Sequence, residues 1–173
     1  MLKAADLRGI IPPTTTPLTA EGGIDRTAVA RLMDFLVEAG VAAVFVLGSS
    51  GETPLMARDQ KLEMVDAVAD NLAGRLPLLA GVTDSSWQVS VELAREFAQM
   101  GADAVVATCP YFFHYSQQEL TDYFIRLAEH SPLPLLIYDI PMRTGNRLEP
   151  ETVLTLAAHE RIIGLKDTTG DLE

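Results

Sequence analysis

The stretch from Ser116 to Pro141, SQQELTDYFIRLAEHSPLPLLIYDIP, changes its hydrophobic rhythm halfway along. Its first part carries apolar residues at three- and four-residue spacing. Ser116, with Glu119 three positions on, adds a capping-box signature, and together these predict a helix with one buried face. Its second part, LPLLIYDIP, is continuously apolar and closed by Pro141, the pattern of a strand covered on both faces. Helix followed by buried strand is half of a β–α–β unit, and the same alternation extends along the whole chain.

Five other runs read the same way: GIIPPTTTP (9–17), VAAVFVLGSSG (41–51), LPLLAGVT (76–83), ADAVVATCP (102–110) and RIIGLKDTT (161–169). Each is short, apolar and closed by Gly, Pro or Thr. Helical patterns separate them. In DRTAVARLMDFLVEAG, Val29, Leu32, Met33, Leu36 and Val37 share a face, Asp25 is placed to cap the start and Gly40 to stop the end. ARDQKLEMVDAVADNLAG and SSWQVSVELAREFAQMG repeat the scheme, the latter with Ser85 or Ser86 as cap and Gly101 as stop. EPETVLTLAAHE places Pro150 in its first turn.

Repeats at roughly thirty-residue spacing predict a parallel sheet with right-handed crossovers. A doubly wound sheet usually carries a glycine-rich dinucleotide turn after its first strand. Here the first run leads into PPTTTPLTAEGG, which has no such turn. The better match is a TIM (β/α)8 barrel, which needs eight units and commonly about 250 residues. The 173 residues hold the first six β–α units. An opened barrel exposes two edges, so residues 1–173 read as a single barrel domain with its C-terminal quarter absent.

Bulk properties set limits on function. The net charge of −11 disfavours nucleic acid and anionic membranes, so any positive partner for an anionic ligand must be local. One cysteine, Cys109, excludes an intrachain disulfide and fits a reducing cytoplasm. His114, His130 and His159 show no metal-ligand spacing, so no metal site is expected. The N-terminus lacks a signal-peptide core, and no run is long enough to span a bilayer.

In either α/β architecture ligands bind at the C-terminal ends of the strands, and three such ends stand out. In LGSSGETPLM (47–56), Gly48 and Gly51 bracket Ser49 and Ser50, a turn able to offer N–H and hydroxyl donors to a carboxylate or phosphate. In IYDIPMRTGN (137–146), Tyr138 falls at the inner rim if it shares a face with Leu136, and Arg143 sits on the loop beyond. Taken singly, both stretches are accounted for by turn conformation and packing. The third is RIIGLKDTT, where Ile162, Gly164 and Lys166 are expected to alternate to one face. An ammonium stripped of water gives up its proton more readily, and the neutral amine can attack a ketone to form a Schiff base. An ion pair with an acidic neighbour is the bland alternative. An apolar strand seldom ends in an unpaired lysine without a use for it.

Together, GSSGE, YDIPMRTG and GLKDTTGD resemble, in order and spacing, the signatures of the pyruvate-dependent class I lyases, the family of dihydrodipicolinate synthase and N-acetylneuraminate lyase. MGADAV and CPYFFHYSQQEL fit as well. The resemblance implies a (β/α)8 barrel, usually a homotetramer built from dimers, without metal or organic cofactor. It implies Lys166 as the Schiff-base lysine and Tyr138 as the proton relay. Ser49 and Ser50, with the Gly48–Glu52 backbone, become the cradle of a 2-keto acid carboxylate. Ser50 stands where the family usually has Thr. Arg143 matches the arginine with which the synthase grips its aldehyde substrate. Against this, the synthase's PYYN is PYFF here, so Phe112 stands where a relay tyrosine that crosses the dimer interface is expected; Tyr111 and Tyr115 are the nearest substitutes, and neither aligns with the role.

The expected activity is carbon–carbon bond formation or cleavage between pyruvate, or a related 2-keto acid, and an aldehyde. The other readings are a 2-keto-3-deoxy sugar acid aldolase or dehydratase, a phosphate-binding barrel isomerase that needs no lysine nucleophile, and a non-catalytic keto-acid-binding module. Glu52 is expected to brace its turn. Cys109, Trp87, Phe97 and Met100 are expected to be packing residues. Asp103, Asp139 and Asp167 are expected near strand ends, without catalytic roles.

Overall fold

The structure, a computed structural model, describes residues 2–170. Its centre is a five-stranded parallel sheet with strands in consecutive order: β1 (Val44–Val46), β2 (Leu78–Gly81), β3 (Ala104–Thr108), β4 (Leu135–Asp139) and β5 (Ile162–Asp167). Consecutive order is what a barrel wall requires; a doubly wound sheet would reverse direction partway. The outer face is covered by α1 (Arg26–Glu38), α2 (Arg58–Leu72), α3 (Trp87–Gln99), α4 (Gln117–His130) and α6 (Pro150–Ala157), while α5 (Pro141–Thr144) is a single turn above β4.

The helix signals are realised at the expected residues. Asp25 accepts a hydrogen bond from the Ala28 N–H, Ser86 from Val89, and Ser116 forms a reciprocal box with Glu119. Val29, Met33 and Leu36 are buried, with Leu32 and Val37 packed beside them. Alternation along the strands divides the apolar residues into two layers. Val44, Val46, Ala80, Val105, Ala107, Leu135 and Ile137 pack against the helices. Phe45, Leu79, Ala104, Val106, Leu136 and Tyr138 line the inner face.

Two expectations are corrected. The run GIIPPTTTP lies beside β1, where a first strand belongs, but forms only an isolated bridge between Pro13 and Phe45. Three bonds hold it there: Ala42 N–H to Ile10 O, Phe45 N–H to Pro12 O and Thr14 N–H to Phe45 O. Pro12 and Pro13 have no N–H to give, so a regular ladder cannot form. The second correction is on β5. Ile162 does not share a face with Gly164 and Lys166, because Leu135 pairs with Ile162 and Leu136 with Gly164. The extra residue, Ile163, bulges and joins the inner cluster, while Ile162 packs outward.

Candidate active site

Three register pairs build the upper inner rim. Gly81 lies beside Val106, Thr108 beside Tyr138, and Tyr138 beside Lys166. The bulge keeps Gly164 and Lys166 in phase with Leu136 and Tyr138. The Lys166 Nζ consequently lies 3.5 Å from the centroid of the Tyr138 ring. The phenol is buried, meets the Phe45 ring edge-on at 6.4 Å, and shares a 3.2 Å hydrogen bond with the Ser49 hydroxyl. Amine, phenol and serine hydroxyl thus form one contiguous array from three elements. Among the described residues neither Lys166 nor Arg143 takes part in a salt bridge; those present join Arg26, Arg58 and Arg75 to surface acids. Among the described residues, the bland reading of Lys166 as half of an ion pair finds no partner.

The array opens on a cleft of about 660 Å³ whose lining includes Gly48, Ser49, Ser50, Tyr111, Tyr138 and Arg143. Lys166 does not line it directly but reaches it through Tyr138. Gly51 is also displaced from its expected role. The N–H groups of Gly51, Glu52 and Thr53 donate back to the carbonyls of Gly48 and Ser49. A side chain on Gly51 would meet Thr16, Leu47 and Thr14 at 3.2–3.3 Å. Gly51 therefore permits close packing under the turn, while Ser49 and Ser50, whose N–H groups bond to no described residue, line the cleft.

This turn is conformationally costly. Leu47 (φ 58°) and Glu52 (φ 57°) both lie in the left-handed region at its two ends. The structure tolerates Leu47 because β2 offers a glycine opposite: a Cβ on Gly81 would stand 2.0 Å from the Leu47 carbonyl oxygen. The sequence reading missed Gly81. The signal was a lone glycine inside an otherwise bulky buried run, which marks close backbone approach. Thr83 and Thr108, to which the sequence assigns no site role, also line the cleft; the Thr108 N–H donates to the Thr83 hydroxyl at 3.1 Å.

Phe112 sits at φ 83°, 87% exposed, against Phe113, and takes no part in lining the cleft. Of the two substitute tyrosines, Tyr111 lines the cleft, and burial, then Asp84, raises its pKa. Tyr115 instead packs against the outer core. Cys109 is fully buried, and burial followed by the nearby Asp139 pushes its thiol up to about 12. Asp103 accepts from the Leu78 N–H at 2.8 Å and serves the sheet. Asp139 faces away from the cleft, with one oxygen accepting from Leu148 and the other unbonded; burial raises its pKa. No group of three His, Cys, Asp or Glu side chains among the described residues could hold a metal ion, and no described helix is long and apolar enough to cross a membrane.

Parallel strands in consecutive order, with the cleft at their C-terminal rim, define this as part of a (β/α)8 barrel. The chain belongs to the Dihydrodipicolinate synthetase family, which it matches over residues 6–173. The 4-hydroxy-tetrahydrodipicolinate synthase of Acidothermus cellulolyticus is 36% identical over 172 residues, 99% of this chain and 56% of that protein. YagE of Escherichia coli K12, named as a putative 2-dehydro-3-deoxy-D-gluconate aldolase, is 37% identical over 97% of this chain and 56% of its own. The crystal structure of YagE in complex with pyruvate matches with a TM-score of 0.91 at 36% identity, over 95% of this chain and 56% of that one. A catalytic-lysine mutant of Ruminococcus gnavus sialic acid aldolase gives a TM-score of 0.90 at 27% identity, over 99% and 56%. The chain spans a little over half the length of these relatives.

Proposed function

We propose that the protein is a class I lyase that forms a Schiff base between Lys166 and pyruvate, or a related 2-keto acid, and makes or cleaves a carbon–carbon bond with an aldehyde. The observation that carries this reading is the Lys166–Tyr138–Ser49 array, with the amine 3.5 Å over the phenol ring and the phenol hydrogen-bonded to the turn. The keto acid carboxylate rests on Ser49, Ser50 and the backbone from Gly48, with Gly51 supporting the turn. The neutral amine adds to the keto carbon, Tyr138 passes a proton to the departing oxygen, and water leaves to give the iminium. The iminium acidifies the adjacent methyl. Loss of that proton gives an enamine, whose carbon attacks the aldehyde; hydrolysis of the imine then frees the product. Arg143 orients the aldehyde when that partner carries an acid group.

A sugar-acid aldolase is the second reading, favoured by Phe112, which cannot relay a proton, and by the similarity to YagE. In either case the domain is single and needs no cofactor. The partners are small molecules, with no nucleic acid or membrane involved. The buried thiol fits the cytoplasm, and the exposed Phe112 and Phe113 suit burial in a homotetramer. The test is pyruvate consumption against an aldehyde panel. Preference for an acidic semialdehyde supports the synthase reading, and preference for a neutral hydroxyaldehyde supports the aldolase. Turnover of a sugar phosphate without pyruvate overturns both.

A further inference from the structure

We propose that Asn146 is a positioning residue that fixes the Arg143 turn against the Tyr111 loop and so sets the grip on the acid group of the second substrate. This role rests on the lyase reading above. Asn146 lies just past α5 and is buried. Its side-chain N–H groups donate to the carbonyls of Pro110 at 2.9 Å, Phe113 at 2.8 Å and Thr144 at 3.3 Å. Its side-chain oxygen accepts from the Tyr115 N–H at 2.9 Å. One amide thus closes four backbone groups on two loops that are 31 to 36 residues away or adjacent in sequence.

The chemistry requires an amide. Three carbonyls and one N–H converge, so the side chain must both donate and accept; a carboxylate of the same shape would turn its oxygens toward three others. Both loops contribute to the lining of the cleft, Tyr111 from one and Ile140, Arg143 and Thr144 from the other. The Thr144 hydroxyl donates to the Asn146 carbonyl at 2.8 Å, locking the turn from its own side. His114 Nδ1 meets the Gly145 carbonyl at 3.2 Å, and Gln117 donates to the Arg147 carbonyl at 2.9 Å, extending the seam outward. Among the described residues, none of the hydrogen bonds of this seam involves the Ser49–Ser50 turn or Lys166, and the Ser49 hydroxyl bonds Tyr138 instead. Asn146 therefore governs the second substrate separately from the keto acid.

The test is Asn146→Asp, compared with the unsubstituted protein in two measurements. In kinetics, KM for an acidic aldehyde should rise about tenfold or more at pH 8, while borohydride trapping of pyruvate stays within about twofold, as expected for loss of buried hydrogen bonds at one subsite. At lower pH the new carboxyl takes up a proton, regains one donor, and KM should fall back toward the reference profile, which carries His114 and Asp139 equally. In hydrogen exchange, the Tyr115 and Gly145 amides should lose protection at pH 8 while the β3 and β4 amides keep theirs. If Asn146→Asp does not fold, Thr144→Val should show the same KM-only defect, smaller in size. Equal losses in trapping and aldehyde use, or unchanged KM and exchange, would overturn the proposal. If the unsubstituted protein traps no pyruvate, the lyase reading falls, and the exchange measurement alone decides whether Asn146 holds the two loops.

Discussion

β4 and β5 run side by side with nearly the same apolar pattern, yet they live in different environments. β4 has a neighbour on each side and all five of its residues are buried. β5 pairs only with β4 among the described residues, and its exposure alternates along its length. Register partners show the contrast directly: Ile137 is 3% exposed, whereas Leu165 opposite it is 41% exposed. Burial of a strand is thus set by its neighbours as much as by its composition. The Lys166–Tyr138–Ser49 array straddles this boundary, with Tyr138 on the enclosed strand and Lys166 on the open one.

The glycines of the inner face give the sharpest way to break the contrast. Gly81→Ala should cost more than about 4 kcal/mol or prevent folding, since the Leu47 backbone has nowhere to go. Gly164→Ala should be nearly neutral, because its nearest neighbours are the flexible ends of Leu7 and Leu136 at 3.5–3.6 Å. Chemical denaturation of the two variants measures the gap. The outer-face pair comes next. Ile137→Ala should lose about 2–5 kcal/mol and Leu165→Ala less than about 1 kcal/mol in the same assay. Equal losses would mean that β5 is enclosed in solution.

The smallest effect separates the aspartates that end the two strands, Asp139 and Asp167, themselves register partners. Burial raises the Asp139 pKa, so its contribution is favourable below the ordinary carboxylate value and is lost as pH rises through its folded value. Asp139→Asn should therefore raise Tm at pH 8 and lose that benefit in acid. Asp167 is held low, first by the Thr169 N–H, and its contribution is present above the ordinary value and lost as pH falls. Asp167→Asn should slightly lower Tm at pH 8 and change nothing in strong acid. Thermal melts at both pH values read the opposite signs.

Most of the fold was legible because its signals are local. Caps at Asp25, Ser86 and Ser116 and the apolar runs of β1 to β5 state their roles within a few residues. The first run failed as a strand because Pro12 and Pro13 withdraw donors, a fact visible in the sequence but outweighed by its apolar residues. Ile162 was misplaced because a bulge depends on the partner strand, which periodicity cannot register. The site showed the same divide. Ser49, Ser50, Tyr138 and Arg143 announced themselves by position at strand ends and do line one cleft. Gly81 and Asn146 act on elements distant in sequence, so only the folded geometry reveals what they hold.

The proposed chemistry stands on the Lys166 amine as nucleophile. Incubation with pyruvate, reduction with borohydride and peptide mapping by mass spectrometry test it most directly, with Lys166→Ala alongside. One reduced pyruvate adduct is expected, carried by Lys166 and absent from the variant. An adduct on another lysine, or none in a protein shown to be folded, would contradict it.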